Sequence, residues 1–490
     1  MKKSVKLLSL LLAAVMTASS FAACSEAPSD ETETSVTSPG ISADETVSES
    51  AETEADDGYI HDDLPEANYD GYNFNILSCY FYNRDSANLM MFDEMTGDPV
   101  NDVLFDAKCN VEDRFSVAVT WVNGGGTTDC SAAFRNSVNA QDKSFDLSIG
   151  NDTETAKLTT EGLTLNLFEL DAFNIEKPWW PENTVSGLSI GDKLYCASTY
   201  LTYLGLHWTR ILTVNKDTMA DLNMEIPYDM VREGTWTLDQ LYTLTEGTSQ
   251  DVDGNGKIDA NDKVAFTSGT QTWYCMQIGA GIPVYGKDEN NVPYLNIDLE
   301  KIDAYVNIMD KLINNDDYLA SGQFGIDAFQ SGRAMIAYTQ VGDAYDYYRL
   351  SDVTYGFLPT PKLNEQQENY INCCTDMPWA MPKTLVGEEA ERAATVIEAF
   401  QCYNYNHMLP VYFEGALKAR IADSPDDAEM MQIIADTRAI SFAFTYNLNF
   451  QNIVGDCVLG NYQTASYFKR GEKVAKNVLD NLVRKYTEMD

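Results

Sequence analysis

The sequence predicts an α/β protein whose mainly parallel sheets, flanked by helices, are divided between two lobes. Two observations carry this expectation. From residue 70 onward, apolar strand-like runs alternate with helix-period stretches, the pattern of parallel sheets covered by helices. That body, residues 70–490, is also too long for one small core, since single cores stop growing near about 250–300 residues.

The chain opens on an export signal over residues 1–23. Lys2, Lys3 and Lys6 precede a short apolar run, Leu7 to Met16, and small residues lead up to Cys24. The run is too short to serve as a mature membrane span. Ala22-Ala23-Cys24 resembles a bacterial lipobox, which implies lipidation of Cys24, although Phe21 stands where such boxes usually carry Leu. The expected location is therefore the extracellular face of the cell membrane, held by a lipid. Residues 24–69 are expected to be a disordered acidic tether. They are rich in Ser, Thr, Glu, Asp and Ala, and no Lys or Arg occurs from Leu7 until Arg84. Such a segment buries too little apolar area to offset its ordering entropy.

Within the body, Tyr72 to Cys79 reads as a strand, Val100 to Phe115 as a helix, and Val117 to Val122 as a second strand. Phe145 to Ile149 follows and ends on Gly150-Asn151-Asp152. Tyr195 to Leu201 and Arg210 to Val214 read as further strands. Helices are expected at 236–245, 299–314, 325–332, 389–403, 426–437 and 470–487. The helix after residue 236 has Thr235 or Thr237 as its cap and Asp239 in its first turn. Trp179-Trp180 is expected to split, one ring in the core and one exposed, because adjacent residues do not share a face.

Asp251 to Asp262 has the spacing of a calcium loop. Asp251, Asp253 and Asn255 occupy positions 1, 3 and 5, Gly256 the turn at position 6, and the Lys257 carbonyl position 7. Ile258 is an apolar pin, Asp259 falls at position 9, and Asp262 closes the loop at position 12. Calcium takes six to eight hard oxygens in a forgiving geometry, and this order supplies them. Asp in place of Glu at the last position shortens the closing arm. A single loop without a partner loop points to a structural clip rather than a sensor.

Formal charge excludes some partners. With 33 Lys+Arg against 75 Asp+Glu, the net charge is -42, so nucleic acid and anionic lipid are disfavoured. Nine cysteines besides Cys24 match no metal-site spacing, and their odd number leaves at least one free thiol. An enzyme is not expected. Gly187-Leu-Ser-Ile-Gly191 matches the nucleophile-elbow pattern, but Asp192-Lys-Leu-Tyr-Cys-Ala reads as a hairpin arm rather than the helix that pattern needs. His207 beside Trp208 reads as a structural histidine. Gly124-Gly-Gly126 lacks the lysine of a phosphate loop.

Several segments, in order, carry a resemblance. They are Phe145-Asp-Leu-Ser-Ile-Gly-Asn-Asp152, Lys177-Pro-Trp-Trp180, Leu212-Thr-Val-Asn-Lys216 and Trp236-Thr-Leu-Asp-Gln-Leu241. Phe329-Gln-Ser-Gly-Arg-Ala-Met335 and Tyr355-Gly-Phe-Leu-Pro-Thr-Pro-Lys362 follow. With these the chain resembles bacterial extracellular solute-binding proteins of the carbohydrate importer type, family 1, broadly maltose-binding-protein-like. The resemblance implies a class II periplasmic-binding-protein-like fold, with discontinuous lobes joined by hinge crossings. By analogy lobe 1 holds about 70–204 and 376–425, and lobe 2 about 205–375 and 426–490.

A sugar site needs flat aromatics beside carboxylates, amides or Arg, placed at the carboxyl ends of strands. The candidates are Tyr82, Arg84, Asn151, Asp152, Tyr200, Tyr203, Trp208, Trp273, Asp343, Tyr345, Asp376 and Trp379. The expected function is a lipid-anchored, monomeric binding component that delivers a sugar or oligosaccharide to the permease subunits of an ABC importer. A surface glycan-binding or sensory lipoprotein without an importer is the alternative, and an extracellular polysaccharide enzyme trails both.

Overall fold

The structure is a computed structural model that describes residues 58–81, 84–269, 273–320, 325–375, 377–417 and 424–489. Cys24 and the signal segment lie outside the described residues.

Two sheets organise the chain. In the first, the strand order is Trp379–Ala380, Leu147–Ile149, Tyr72–Ser78, Val117–Asn123. Tyr72–Ser78 runs parallel to both neighbours, with Tyr72 opposite Val117 and Ile76 opposite Leu147, and Trp379–Ala380 adds an antiparallel edge. In the second sheet the order is Tyr318–Ala320, Val264–Ser268, Ala334–Gln340, Arg210–Asn215, Tyr355–Leu358. Its first three strands are parallel, and Arg210–Asn215 is antiparallel to both of its neighbours. Every residue of Val264–Ser268 and Arg210–Asn215 is buried, as expected for strands covered on both faces by helices.

The buried residues form two cores, and the second sheet packs on both: its Ile211, Ala337, Tyr355 and Phe357 fall in the first. Phe74, Ile76, Leu104, Phe115, Leu147, Trp179, Trp379 and Phe400 belong to the first. Trp236, Phe266, Trp273, Tyr305, Ile336 and Tyr338 belong to the second. The helix Thr464–Glu488 joins the second core through Phe468, Ala475, Leu479, Leu482 and Tyr486; steps of seven, four, three and four place these on one helical face. Helix Pro99–Phe115 starts where Asp98 accepts from the Val100 and Asn101 amides. Helix Leu238–Thr245 starts on Thr237, whose hydroxyl accepts from Gln240 N.

Three expectations need correction. Residues 58–69, the last part of the expected tether, are docked on the body. Asp62 accepts two bonds from Arg114 at 2.7 and 2.8 Å, Lys177 donates to Asp63, and the Tyr69 ring stacks 6.0 Å from Phe115. Charge pairing and apolar packing here outweigh the acidic composition. Tyr195 to Leu201 is not a strand: it contributes a single bridge, Ala197 to Trp379. Trp179 and Trp180 are both buried, at 0 % and 3 % exposure. An irregular turn closed by Trp180 N on Lys177 O frees them from strand alternation, and both indoles donate to Glu398, at 2.8 and 2.9 Å.

Candidate functional site

A cavity of about 450 Å³ opens beyond the carboxyl ends of Tyr72–Ser78 and Val117–Asn123, where ligands sit in open α/β sheets. One wall is the segment that follows the first strand. Tyr80, 49 % exposed, begins a short hairpin in which it pairs with Asp85. The Asp85 carboxylate accepts from Ala87 N at 3.1 Å and from Asn123 Nδ2 at 2.9 Å. Asn88, Phe92, Asp98 and Asn101 continue the lining.

The opposite wall is aromatic. Tyr203 and Tyr345 line it, and the Tyr412 ring packs on both, 5.4 Å from Tyr203 at 28° and 5.2 Å from Tyr345 at 13°. Behind this stack, His207 Nδ1 lies 2.8 Å from the Tyr412 hydroxyl and His207 Nε2 lies 3.3 Å from Asp346. Gly342 is required at this point, because a Cβ there would sit 2.3 Å from the His207 ring. The Tyr345 hydroxyl reaches across to Asp98; burial and the nearby carboxylate raise the pKa of that phenol, so it acts as a donor. The cavity thus combines two carboxylates and three amides, which bond hydroxyl groups, with rings that accept C–H faces.

Of the residues singled out from the sequence, Tyr203 and Tyr345 are brought together here. Arg84 lies in the adjoining strand Arg84–Asp85, and Tyr82 and Asp376 lie outside the described residues. The others are placed elsewhere. Asn151 caps the helix Asp152–Thr160, and Asp152 is buried at its first turn. Asp343, whose pKa burial pushes up to about 7, accepts from Gln340 N and Nε2. Trp208 is half-buried at the end of the turn Leu204–His207. Tyr200 lies buried under Arg438. Trp273 and Trp379 are 2 % and 1 % exposed. Trp379 packs against Trp180 and Phe173 and donates to Thr199, while Trp273 donates to Ser268. Neither offers a stacking face in this structure.

Sequence reading missed Tyr80, Asp85, Asn88, Phe92, Asp98, Asn101 and Asn123. A signal existed for three of them. Tyr80 and Asp85 bracket the Tyr82 and Arg84 already named, and Asp98 before Pro99 is a helix-start signal.

Ser189 gives no nucleophile elbow. It ends the helix Glu182–Leu188 rather than preceding one, it is 2 % exposed, and Ile190 bridges to Lys193 in a tight turn.

On the second sheet's side, the loop from Asp251 to Asp262 is closed at its base by reciprocal backbone bonds between Gln250 and Lys263. Asp251 accepts from the Gly254, Asn255 and Gly256 amides. Asp262 accepts from Val252 N and Asp259 N, both at 2.8 Å, and these bonds hold its pKa below the usual carboxylate range. Gly256, at φ 80°, makes the turn that an L side chain resists. One oxygen each from Asp251, Asp253 and Asp262 lie within 4.8 Å of one another. That spacing fits ligands about 2.3–2.6 Å from one cation.

No family model matches the chain, and no curated protein matches it. Solved structures do. One is the galacto-N-biose-/lacto-N-biose I-binding protein of the ABC transporter from Bifidobacterium longum, in complex with lacto-N-biose. It is similar at TM-score 0.55 and 10 % identity, covering 85 % of this chain and 98 % of that one. A cyclo/maltodextrin-binding protein complexed with maltotetraose is similar at TM-score 0.53 and 13 % identity, covering 85 % and 96 %. UgpB from Mycobacterium tuberculosis, in complex with glycerophosphocholine, is similar at TM-score 0.52 and 13 % identity, covering 84 % and 99 %. The likeness is one of architecture over nearly the whole of each relative: this chain has the two-lobed α/β fold of these solute-binding proteins.

Proposed function

We propose that the protein is an extracellular solute-binding protein that captures a sugar or oligosaccharide and delivers it to the permease subunits of an ABC importer. The observation that carries this reading is the cavity at the carboxyl ends of Tyr72–Ser78 and Val117–Asn123, walled by Tyr80, Asp85 and Asp98 on one side and by Tyr203 and Tyr345 on the other. Hydroxyl acceptors facing aromatic rings suit a polyol with C–H faces, and relatives of the same fold bind lacto-N-biose and maltotetraose. The protein binds rather than turns over its solute, and it works as a monomer.

In this reading Cys24 carries the lipid that holds the protein at the membrane, and the acidic segment from residue 24 to residue 57 is the tether. Among the described residues no helix is long and apolar enough to cross a membrane. Asp251, Asp253, Asn255, the Lys257 carbonyl, Asp259 and Asp262 hold a structural calcium ion that clips the loop before Val264–Ser268. A thermal-shift screen of sugars and oligosaccharides on the purified protein tests the proposal. A saccharide that raises Tm dose-dependently supports it, and a response to peptides alone removes the carbohydrate reading while keeping the fold.

A further inference from the structure

Arg438 is buried to 1 % exposure, and its Nε, Nη1 and Nη2 all lack a hydrogen-bond partner. Among the described residues it is the one arginine with all three side-chain nitrogens in that condition. Its guanidinium lies 4.6 Å from the centroid of the Tyr200 ring. The preceding Asp436 is exposed, its carboxylate takes a bond from Gln432, and it makes no ion pair with Arg438. A guanidinium stays protonated throughout the physiological range, so this charge is buried with only an aromatic face for company. Buried charges are ordinarily paired, because an isolated one is among the most costly arrangements in a protein interior.

The position matters as much as the charge. Strand Arg438–Ile440 pairs with Asn372–Cys374, and Cys374 bridges to Thr209. Cys374 and Ile440 belong to the first core, Cys373 and Phe442 to the second. Arg438 therefore stands where the two cores meet, and the Tyr200 it faces lies three residues before Tyr203 of the cavity wall.

We infer that Arg438 recognises an oxyanion carried by the solute, the carboxylate of a hexuronic acid residue, so that the sugar captured is acidic rather than neutral. This rests on the carbohydrate reading above and narrows it. The planar fork of a guanidinium matches a carboxylate in two parallel bonds. The carboxylate reaches Arg438 when the lobes part and is enclosed when they close. The acidic exterior of the chain opposes an anion only at short range, since charges more than about 8 Å away are screened at physiological salt. It slows capture more than it weakens the closed complex.

The test is calorimetric titration of the purified protein with a hexuronate trisaccharide, its neutral hexose counterpart and a hexose phosphate. The expected result is at least tenfold tighter binding of the uronate than of the neutral sugar. Arg438→Gln should erase that preference while leaving neutral-sugar affinity within about twofold. Ligand-free Arg438→Met should melt above wild type, because an uncompensated charge has been removed. Equal binding of neutral and uronate sugars, unchanged in Arg438→Gln, overturns the inference and leaves the carbohydrate function standing. Preference for the phosphate over the uronate overturns the carboxylate assignment. Binding of no sugar at all removes both readings. If neither variant folds, the three wild-type titrations decide the matter alone.

Discussion

The Tyr345 hydroxyl donates to both carboxylate oxygens of Asp98, at 3.1 and 3.2 Å, across 247 residues of sequence. Asp98 also caps the helix Pro99–Phe115 of the first lobe, and Tyr345 lies on the helix Val341–Asp346 that directly follows the strand Ala334–Gln340 of the second sheet. One bond at the cavity edge thus ties a helix start on one sheet to the end of a strand on the other. Tyr345→Phe keeps the stack on Tyr412 and should cost about 1 kcal/mol. Asp98→Ala also loses the cap and should cost about 2 kcal/mol. In urea denaturation the double variant should cost less than the sum, by about 1 kcal/mol, since the shared bond is lost once. Strict additivity would mean that the bond contributes nothing.

Chelation should lower Tm, because calcium bound only by the folded chain stabilises it by mass action. Asp251→Ala combined with Asp253→Ala should abolish the difference between calcium and chelator. Melting curves that coincide for wild type in metal-free buffer with and without calcium would remove the calcium assignment.

Glu398 and Asp343 give a pH dependence of defined sign. Burial pushes each up to about 7, from ordinary values of 4.5 and 3.8. Between those values the folded chain holds protons that the unfolded chain has released, so their contribution to stability declines as pH rises through about 7. His407, lowered by burial, works in the opposite direction, and Lys287, lowered to about 8, acts above this window. The variant therefore has to be compared with wild type. From pH 5 to 7.5 the Tm of wild type should fall relative to that of Glu398→Gln with Asp343→Asn. Parallel profiles would show that neither carboxyl titrates differently in the two states.

Trp379→Ala and Trp273→Ala should each cost about 3–5 kcal/mol, the usual effect of emptying a large buried site. Denaturation of the ligand-free variants measures this. A near-neutral effect in either would mean that the ring is not core.

The alternation of strands and helices was legible because each period is local: Tyr72–Ser78, Pro99–Phe115 and Val117–Asn123 lie where the pattern places them. The tight turn from Asp251 to Asp262 was legible for the same reason, its carboxylates and the amides they accept from falling within twelve residues. Tyr203, read as an aromatic on the first crossing, and Tyr345, read as a second-lobe or later-crossing aromatic, both line the cavity. What failed was choice among aromatics. Whether Trp379 or Tyr80 is uncovered depends on Trp180 and Phe173 arriving from distant sequence to bury one and leave the other. Likewise, nothing local shows that Arg114 and Lys177 draw Asp62 and Asp63 onto the body.

The most direct measurement is calorimetric titration of wild type and Tyr80→Ala with a panel of oligosaccharides. Tyr80 is the half-exposed ring of the cavity, and a stacking ring contributes about 1–3 kcal/mol. The expected result is a saccharide that binds wild type, weakens about tenfold or more in Tyr80→Ala, and leaves the ligand-free Tm unchanged. A saccharide bound equally well by both would place the site elsewhere on the fold, and no saccharide bound by wild type would contradict carbohydrate capture itself.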